Sequence, residues 1–552
     1  MKNNNNNNIT HLTNNINIQN NNIINNLSSQ SNPQNTSSSA SSQQQTQPQL
    51  KYPLDYVSSE TYTQEDILET QYIENILRND YNLFESEEES KLREEILNSL
   101  GTCVKNAVYK MAIELNYPED SALEAGGKIF TFGSYRLGIV GPGDDIDVLC
   151  VGPDFCERDK FYKKMVEELE KEKKITQIFK VDSAYVPIIK IVFNNIPIDI
   201  LVARLSKSQI GKNLTSLEDD SILKNCDEKC ILSLNGCRVT DKILSIVSQV
   251  IDTNDFKLTL RAIKLWAKKR GIYSNSFGFP GGVAWAILVV KVCQTFPKLK
   301  PNKLIRKFFD FYANWDWANP IIINKEEINK VVDFDCPVEV WKIEKQKNKC
   351  KFYIITPSFP VQNTNYNTNE ITKRVMIDEF KYFYDFTQKI DYKNKNEKKF
   401  TWFNLFKEFD IFNSFECLLE VDVLGRNQND FKYWDGYIES HLRYLINDFI
   451  LFPQIKLRPY TNHLGLKDND FEFQKNFFFG IDFEDPNIIF EGLTDEEKEK
   501  KKIIDLRQIY KKFIHQMNIQ RRNKETMNLR VSIRTIDNLP EEIKQKYLIK
   551  KT

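Results

Sequence analysis

The residues best suited to chemistry are two aspartates that follow a glycine-rich loop. Residues 130–151 read FTFGSYRLGIVGPGDDIDVLCV, a strand-like start, a Gly133-Ser134 turn, a glycine-rich loop and an apolar-alternating strand. Because strand side chains alternate between faces, Asp145 and Asp147 share one face. Paired carboxylates are hard oxygen ligands that suit Mg²⁺, and a glycine-rich turn lets backbone N–H groups approach a phosphate. The pattern is typical of metal-dependent phosphoryl or nucleotidyl transfer.

A third aspartate lies in a strand pair further along the chain. Residues 186–204 read VPIIKIVFNNIPIDILVAR, two apolar strands joined at Asn194-Asn195, which is a good two-residue hairpin signal. The apolar residues of the second strand share one face, so Asp199 points to the other, where a buried carboxylate needs a partner or a cation. A pair of aspartates alone is more often a solvated strand end, but three on neighbouring strands predict a two-metal centre.

Composition limits the class of protein. A chain of 552 residues is expected to contain about two to four domains. Basic and acidic residues number 76 each, so any nucleic-acid binding would have to come from local patches and stacking rather than a global basic field. No apolar run reaches about 18 residues and the amino terminus is polar, which predicts a soluble chain without a signal peptide or membrane span.

The cysteines suggest a reducing compartment. There are ten, and they form no disulfide framework. Cys226, Cys230 and Cys237 are close enough in sequence to suggest zinc, but the four histidines lie far away in sequence. Buried or free thiols are therefore the preferred interpretation.

Low-complexity and periodic patterns organise the first half of the chain. Residues 1–50 are rich in Asn, Gln and Ser and are predicted to be disordered. Helical spacing over 90–115 precedes a mixed sheet over 128–204, which includes a helix over 159–171. After about residue 205 the helical period dominates.

Two capped helices are predicted next. Thr240-Asp241 could cap a helix that runs through Val250. Asp255 could cap a second helix, which Gly271 ends.

The second of these helices carries a narrow basic stripe, while nearly all its other positions are apolar. The stripe consists of Lys257, Arg261, Lys264 and Lys268, at steps of four, three and four residues. A helix buried almost all round with one cationic strip favours a polar cleft over bulk water. A solvated basic edge is the alternative.

A glycine-rich turn opens the following helix. Tyr273 and Asn275 precede the sequence GFPGG at 278–282, after which an apolar helix begins at Val283. Backbone N–H groups at that helix start could bind a nucleotide, and a simple turn between helices is the alternative.

The last third of the chain has the element order of a split βαβ fold. The pattern predicts a strand over 415–424, a helix over 430–447, strands over 454–459 and 475–483, a helix over 506–518 and a strand over 528–535. RNA-recognition domains share this βαββαβ order. In the last strand Arg530, Ser532 and Arg534 alternate with apolar residues, so one face could meet phosphates. No aromatic RNA-stacking consensus accompanies them, so the architecture alone does not establish RNA binding.

Six segments, in their order and spacing, form a more specific pattern than any single motif. They are residues 130–150, 186–204, 234–244 (LNGCRVTDKIL), 258–286, 314–320 (NWDWANP) and 354–367 (IITPSFPVQNTNYN). Through these segments the chain resembles the nuclear-type poly(A) polymerases of eukaryotes, from roughly residue 50 to residue 535.

The resemblance implies an α+β multidomain architecture. It implies a polymerase-beta-like nucleotidyltransferase domain with a mixed sheet over 51–205, a central helical domain over 206–360 and an RRM-like βαββαβ RNA-binding domain over 361–537. The tails would be residues 1–50 and 538–552.

The resemblance also implies roles for individual residues. Asp145, Asp147 and Asp199 would be the catalytic carboxylates and would bind two Mg²⁺ or Mn²⁺ ions. The ATP site would contain these aspartates together with Phe132, Gly133, Ser134, Lys264, Tyr273, Asn275, Gly282 and Val283.

Within that site the implied contacts differ by residue. Ser134 would lie near the phosphates, which Lys264 and Tyr273 would contact. Asn275 would lie near the sugar or base, and the two residues at 282–283 beside the adenine.

The loop before the aspartates departs from the family pattern. Many relatives carry Thr and Lys where this chain has Gly141 and Pro142, so a hydroxyl contact and a positive charge are missing. ATP affinity is expected to differ, or a neighbouring backbone N–H to substitute. Asp144 replaces a small residue and adds negative charge beside the metals, but neither change touches the three predicted ligands.

The activity expected from the resemblance is template-independent addition of AMP from ATP to the 3′ end of pre-mRNA, with release of pyrophosphate. Cleavage and polyadenylation factors are the expected partners of a monomeric nuclear enzyme that has no membrane association. Two alternatives stay open, a nucleotidyltransferase with another base preference, such as a uridylyl-adding enzyme, and a catalytically silent RNA-binding scaffold. The only lysine cluster, at 498–502, sits among glutamates and is predicted to be a solvated helix face.

Overall fold

The computed structural model describes residues 55–181, 185–342, 352–394, 396–415, 417–466, 468, 470–483 and 506–548. The predicted disordered tail over 1–50 and the lysine cluster at 498–502 lie outside the described residues. None of the helices found in the described ranges combines the length and the apolar character that a membrane crossing requires.

A five-stranded mixed sheet forms the amino-terminal part of the described chain. Its strands are Lys128–Phe132 (β1), Ile146–Gly152 (β2), Ile175–Val181 (β3), Ile188–Phe193 (β4) and Ile196–Arg204 (β5). Their order is β1-β2-β5-β4-β3, with β2 and β5 parallel and all other neighbours antiparallel. The predicted hairpin between β4 and β5 is confirmed, because Asn194 and Asn195 have the positive φ values, 49° and 66°, that such a turn needs.

Helices cover the first face of this sheet. The amino-terminal helices are Gln64–Asn75 (α1), Glu87–Glu114 (α2), Glu119–Glu124 (α3), Gly133–Arg136 (α4) and Arg158–Leu169 (α5). The side chains of Ile146, Val148 and Cys150 on β2 form a buried core with residues of α2 and α5. The helices predicted over 90–115 and 159–171 are therefore confirmed.

The second face of the sheet is covered by the first of the central helices. These are Glu228–Val250 (α6), Thr253–Lys269 (α7), Gly282–Thr295 (α8), Pro301–Ala313 (α9) and Glu370–Gln388 (α10). Helix α6 packs against Leu149 and Val151, on the face to which Asp147 and Asp199 also point by strand alternation.

Both predicted helix caps are wrong. Helix α6 begins at Glu228 and not after Thr240-Asp241, and Asp227 caps it by accepting the Cys230 N–H at 2.9 Å. Thr240 lies inside the helix instead. Gly236 also lies inside the helix, where close packing against Phe132 of the sheet requires a glycine.

Helix α7 is capped by Asp252 rather than by Asp255. The Asp252 carboxylate accepts the N–H groups of Asn254 and Asp255 at 2.8 and 3.3 Å. Asp255 lies in the first turn, where its side chain pairs with Lys300 at 2.7 Å. Asp252 and Asp255 both satisfy the sequence rule for a helix cap. Because Asp255 pairs with the distant Lys300, Asp252 is the residue that caps the helix.

The predicted free thiols are confirmed. Cys226, Cys230 and Cys237 are buried and unbonded to other cysteines. Burial raises the pKa of the Cys226 thiol to about 11 and that of Cys230 to about 12, so these groups stay neutral and apolar.

The carboxy-terminal part has the predicted βαββαβ order. Its elements are Trp402–Leu405 (α11), Ile411–Ser414 (α12), Cys417–Gly425 (β6), Gln428–Asp448 (α13), Ile455–Leu464 (β7), Phe473–Phe483 (β8), Arg507–Ile519 (α14), Met527–Thr535 (β9) and Glu541–Ile543 (α15). The sheet order is β7-β8-β6-β9, antiparallel throughout. The α+β multidomain architecture expected from the sequence is confirmed.

Both arginines of β9 are paired with carboxylates. Arg534 pairs with the buried Glu420 at 2.6 Å, and Arg530 pairs with Asp468 at 2.5 Å. Ser532 also donates to Glu420, at 3.3 Å. Carboxylates of the same sheet region therefore compensate the charge of both arginines, and phosphate binding by this face stays a prediction.

One apolar core joins the central helices to the carboxy-terminal sheet. Trp266 of α7 lies at its centre, in edge contact with Trp285 of α8 and Phe309 of α9, at ring distances of 5.7 and 4.8 Å. The same core includes Phe477 and Phe479 of β8. The domain boundaries drawn from the sequence stay a prediction.

A buried polar network attaches α1 to the central helices. Glu69 is 6% exposed and accepts hydrogen bonds from Asn302 at 2.7 Å, Arg306 at 2.6 Å and the Trp402 indole at 2.8 Å. One carboxylate therefore satisfies three donors, two from α9 and one from α11.

Glu69→Leu should lower the free energy of unfolding by about 3 kcal/mol, because the Arg306 cation loses its counter-ion and two further donors lose a carboxylate acceptor. Urea unfolding followed by tryptophan fluorescence measures this change. Glu74→Leu is the matched control, since Glu74 lies on the same helix in a solvent-exposed pair with Arg78. It should cost about 0.5 kcal/mol or less, and equal losses for the two variants would contradict the account.

Candidate active site

Three carboxylates converge at one end of the amino-terminal sheet. One oxygen atom from each of Asp145, Asp147 and Asp199 lies within 4.8 Å of the other two. Asp147 and Asp199 are register partners across the parallel pair of β2 and β5, and Asp145 immediately precedes β2. The structure thus brings together the three side chains that the sequence predicts to converge.

This set of donors fits a divalent cation, because all three are hard oxygen ligands. Burial, reinforced by the charges of Asp145 and Asp199, raises the pKa of Asp147 to about 7. Lys190 Nζ lies 2.5 Å from Asp199 Oδ2 and supplies part of the compensating charge. A bound cation would relieve the remaining repulsion.

Glycines allow the chain to pass close to the aspartates. Gly133 has φ +64°, and a Cβ at this position would overlap the carboxylate of Asp147. Phe132 is the register partner of Asp147 in β1, and its ring packs against Gly236 of α6. A Cβ at Gly236 would lie 2.9 Å from that ring. Two glycines therefore set the spacing of sheet, α4 and α6 beside the aspartates.

A buried arginine holds the loop before β2. Arg93 is 1% exposed and donates to the carbonyl oxygen of Asp144 at 2.7 Å. The side chain of Asp144 in turn accepts the Gly141 N–H at 3.0 Å. The Gly141 N–H is therefore already bonded, and Pro142 has no N–H. Neither residue offers a backbone donor that could replace the threonine hydroxyl found in many relatives.

The basic stripe of α7 lies along this loop. Arg261 donates to the Gly138 carbonyl at 3.0 Å, and the ammonium group of Lys257 also lies beside Gly138. Lys264 Nζ lies 3.9 Å from Asp144 Oδ2, whereas Lys268 is exposed. The stripe therefore faces the loop and the aspartates over three of its four positions, as the cleft interpretation predicts.

The electrostatic environment of Lys264 is mixed. Burial and the neighbouring Lys268 lower the pKa of Lys264, while the charges of Asp144, Asp145 and Asp147 oppose that shift. Lys264 is thus a cation that is partly desolvated and held within the field of the carboxylates.

The segment after α7 forms the next wall. Burial, together with the aspartates at 144, 145 and 147, raises the pKa of Tyr273. Its hydroxyl lies 2.8 Å from the position that a Cβ of Gly282 would take, so the ring reaches the start of α8. Asn275 begins a 3₁₀ turn, Asn275–Phe277, and its Oδ1 is buried without a hydrogen-bond partner among the described residues.

The remaining predicted site residues occupy the edges of this region. Ser134 lies in α4, where its carbonyl oxygen accepts the Ile139 N–H at 3.0 Å. Val283 lies in the first turn of α8 and packs partly buried against the apolar core.

One residue at the site was missed by the sequence reasoning. Lys190 is the register partner of Asp199. It is the one charged residue in the apolar strand β4, and this was the available signal.

Two family models match the chain. The poly(A) polymerase nucleotidyltransferase domain matches residues 56–247, and the poly(A) polymerase central domain matches residues 255–408. The match to the first domain includes all three converging aspartates, and the match to the second includes Lys264 and Tyr273.

Named relatives agree with these models. The chain is 41% identical to a poly(A) polymerase of Dictyostelium discoideum, over 73% of this chain and 49% of that protein. It is 34% identical to nuclear poly(A) polymerase 1 of Arabidopsis thaliana, over 83% of this chain and 61% of that protein. The chain thus spans about half to three fifths of the length of the curated relatives that it matches.

Among solved structures, a MgGTP-bound Cid1 poly(U) polymerase matches with a TM-score of 0.42 and 16% identity. The match covers 62% of this chain and 99% of that chain, a similarity too distant to bear on substrate. The two family models and the named relatives agree on one family. The chain belongs to the nuclear-type poly(A) polymerase family of eukaryotes.

Proposed function

We propose that this protein adds AMP from ATP to the 3′ end of RNA without a template and releases pyrophosphate. The observation that carries the proposal is the convergence of Asp145, Asp147 and Asp199 in a chain that matches both poly(A) polymerase domain models. The named activity of the relatives supports it.

The aspartates would hold two divalent cations, Mg²⁺ or Mn²⁺. All three would bind one ion, and Asp145 and Asp147 would bind the second. When bound, such ions lower the pKa of an attacking 3′-hydroxyl and neutralise charge on the leaving pyrophosphate. Lys190 neutralises the charge of Asp199 in this structure and would have to share that carboxylate with a bound cation.

The nucleotide would lie between the glycine turn and α7. Phe132, Gly133 and Ser134 would line the triphosphate side, where Gly133 leaves room beside Asp147. Lys264 and Tyr273 would contact the phosphates, because both already lie in the field of the aspartates.

Selection of ATP would depend on polar atoms near the start of α8. The unpartnered Oδ1 of Asn275 is an acceptor, which suits the amino group of adenine but not the carbonyl oxygen at the same edge of uracil. Gly282 and Val283 would lie beside the base. This chemistry favours adenylyl over uridylyl addition.

The cellular setting is also part of the proposal. We place the protein in the nucleus as a monomer that acts on pre-mRNA with cleavage and polyadenylation factors. The names of two relatives as nuclear poly(A) polymerases support the location.

Divalent cations should stabilise the RNA-free protein, and more so at higher pH. The raised pKa of Asp147, about 7, means that the folded state loses stability as pH rises through 7, since a third charge then appears. A cation relieves that repulsion and competes with the proton below pH 7. Near-saturating Mn²⁺ should raise Tm by about 2–4 °C at pH 8 and by less at pH 6.

Differential scanning fluorimetry of matched variants tests this cation effect. Asp199→Asn removes the negative charge of one ligand and should lose most of the increment. Asp154→Asn, an exposed aspartate beyond the other end of β2, should keep it. An equal increment in both variants would place the cation elsewhere.

AMP addition itself is tested by primer extension of an oligo(A) primer with all four nucleotides in competition. The protein should incorporate AMP in preference to UMP, and Asp199→Ala should lower kcat/KM at least about a thousandfold by removing a metal ligand. Asp154→Ala is the matched control and should retain normal activity.

The rival functions give different results in the same assay. Preferential UMP incorporation would indicate a uridylyl-adding enzyme. No incorporation with Mg²⁺ or Mn²⁺, together with retained binding of the primer, would indicate an RNA-binding scaffold. Substantial activity in folded Asp199→Ala would refute the assignment of that residue.

A further inference from the structure

The backbone of residues 271–282, which carries Tyr273 and Asn275, is attached to the carboxy-terminal sheet. Three sets of contacts make the attachment, and they involve strands β7 and β8, helix α10 and the segment before α10. None of these elements contributes a residue to the site described above.

The first attachment is a buried Arg–Glu–Arg cluster. Arg270, the last residue before the segment, donates to Glu379 of α10 through Nε at 2.8 Å and Nη2 at 3.0 Å. Arg458 of β7 donates to the same carboxylate at 3.0 Å and to the Arg270 carbonyl at 2.9 Å. The side chains of Arg458 and Glu379 are 9% and 8% exposed. Bidentate, charge-assisted bonds of this kind fix orientation as well as distance.

The second attachment is the close approach of β7 to Gly271. Gly271 has φ +65° and ends α7, with its own N–H bonded to the Lys268 carbonyl at 3.1 Å. A Cβ at Gly271 would overlap the ring of Tyr460, and the Thr461 N–H donates to the Gly271 carbonyl at 3.2 Å. The direction in which the chain leaves α7 is therefore set by β7.

The third attachment holds the 3₁₀ turn that contains Asn275. Phe277 is 1% exposed and packs on Phe477 and Phe479 of β8, at ring distances of 5.8 and 6.1 Å. Asn367 Nδ2 donates to the Asn275 carbonyl at 3.0 Å. The backbone of the turn is thus bonded while the Asn275 side-chain oxygen stays without a partner among the described residues.

We propose that Arg458 and Tyr460 are positioning residues for ATP. The carboxy-terminal sheet fixes the segment that presents Tyr273 and Asn275, so its integrity sets nucleotide affinity. This inference rests on the proposed function and adds to it a role for the RRM-like domain that does not require contact with RNA.

The charges at this interface favour a positioning role over contact with an RNA phosphate. The Arg458 guanidinium group is nearly buried and already bonded to Glu379 and to a main-chain carbonyl. Phe409 also packs against it, 4.5 Å from the guanidinium carbon to the ring centre. A phosphate could reach Arg458 only by displacing these partners.

Steady-state kinetics of the full chain, with ATP and oligo(A) primer varied separately, test the proposal. Arg458→Met should raise the KM for ATP about five- to tenfold, because the loss of one or two orienting hydrogen bonds misplaces the segment. The kcat and the KM for the primer should stay within about twofold of the wild-type values. A purely structural role would lower the amount of active enzyme without changing the KM for ATP.

Arg306→Met controls for the loss of a buried Arg–Glu pair elsewhere. Arg306 pairs with Glu69 at 2.6 Å, away from the segment, so this variant should lose stability but keep the wild-type KM for ATP. Tyr460→Leu provides a second variant, since it removes the ring that abuts Gly271, and Tyr460→Phe keeps that ring as its control.

The outcomes are distinct. Wild-type protein that fails to add AMP would refute the proposed function itself. Active wild-type protein with an unchanged KM for ATP in both Arg458→Met and Tyr460→Leu would overturn the inference alone. A rise confined to the KM for the primer would also overturn it and indicate RNA contact. If circular dichroism shows both variants unfolded, the interface is a folding requirement and the positioning role is rejected.

Discussion

The parallel pairing of β2 with β5 is the constraint on which the rest of the structure depends. It places Asp147 directly opposite Asp199, and the chain that enters β2 adds Asp145 to the same end of the sheet. Three carboxylates at this distance repel one another, and the raised pKa of Asp147 expresses that repulsion together with burial. A fold that concentrates such charge needs cations close by.

The surroundings of the triad meet this need in two ways. Gly133 and Gly236 let β1, α4 and α6 approach without filling the space beside the carboxylates. Lys190 of strand β4 and Lys264 of helix α7 supply positive charge close to the carboxylates. Helices α7 and α8, on the other side of the site, are held in place because they share one apolar core with the carboxy-terminal sheet.

Local sequence rules predicted the parts of the structure that local physics controls. The Asn194-Asn195 hairpin follows from two residues that tolerate positive φ. Strand alternation gives the face on which each aspartate lies, whereas their convergence depends on the non-local pairing of β2 with β5. The helix caps failed where tertiary packing chose between similar candidates, as it did for Asp252 over Asp255.

Other features could not be found from sequence because their partners are distant in the chain. Arg458 meets Arg270 across 188 residues, and no spacing rule relates the two. The alternation of β9 places its arginines on one face, but it does not reveal that Arg534 pairs with the distant Glu420.

The most direct test of the account is anomalous diffraction from crystals of this protein grown with Mn²⁺ and a non-hydrolysable ATP analogue. The account predicts anomalous peaks within coordination distance of the carboxylates of Asp145, Asp147 and Asp199, with the analogue's phosphates on the side of Lys264. Manganese bound elsewhere, with none at these three carboxylates, would contradict it.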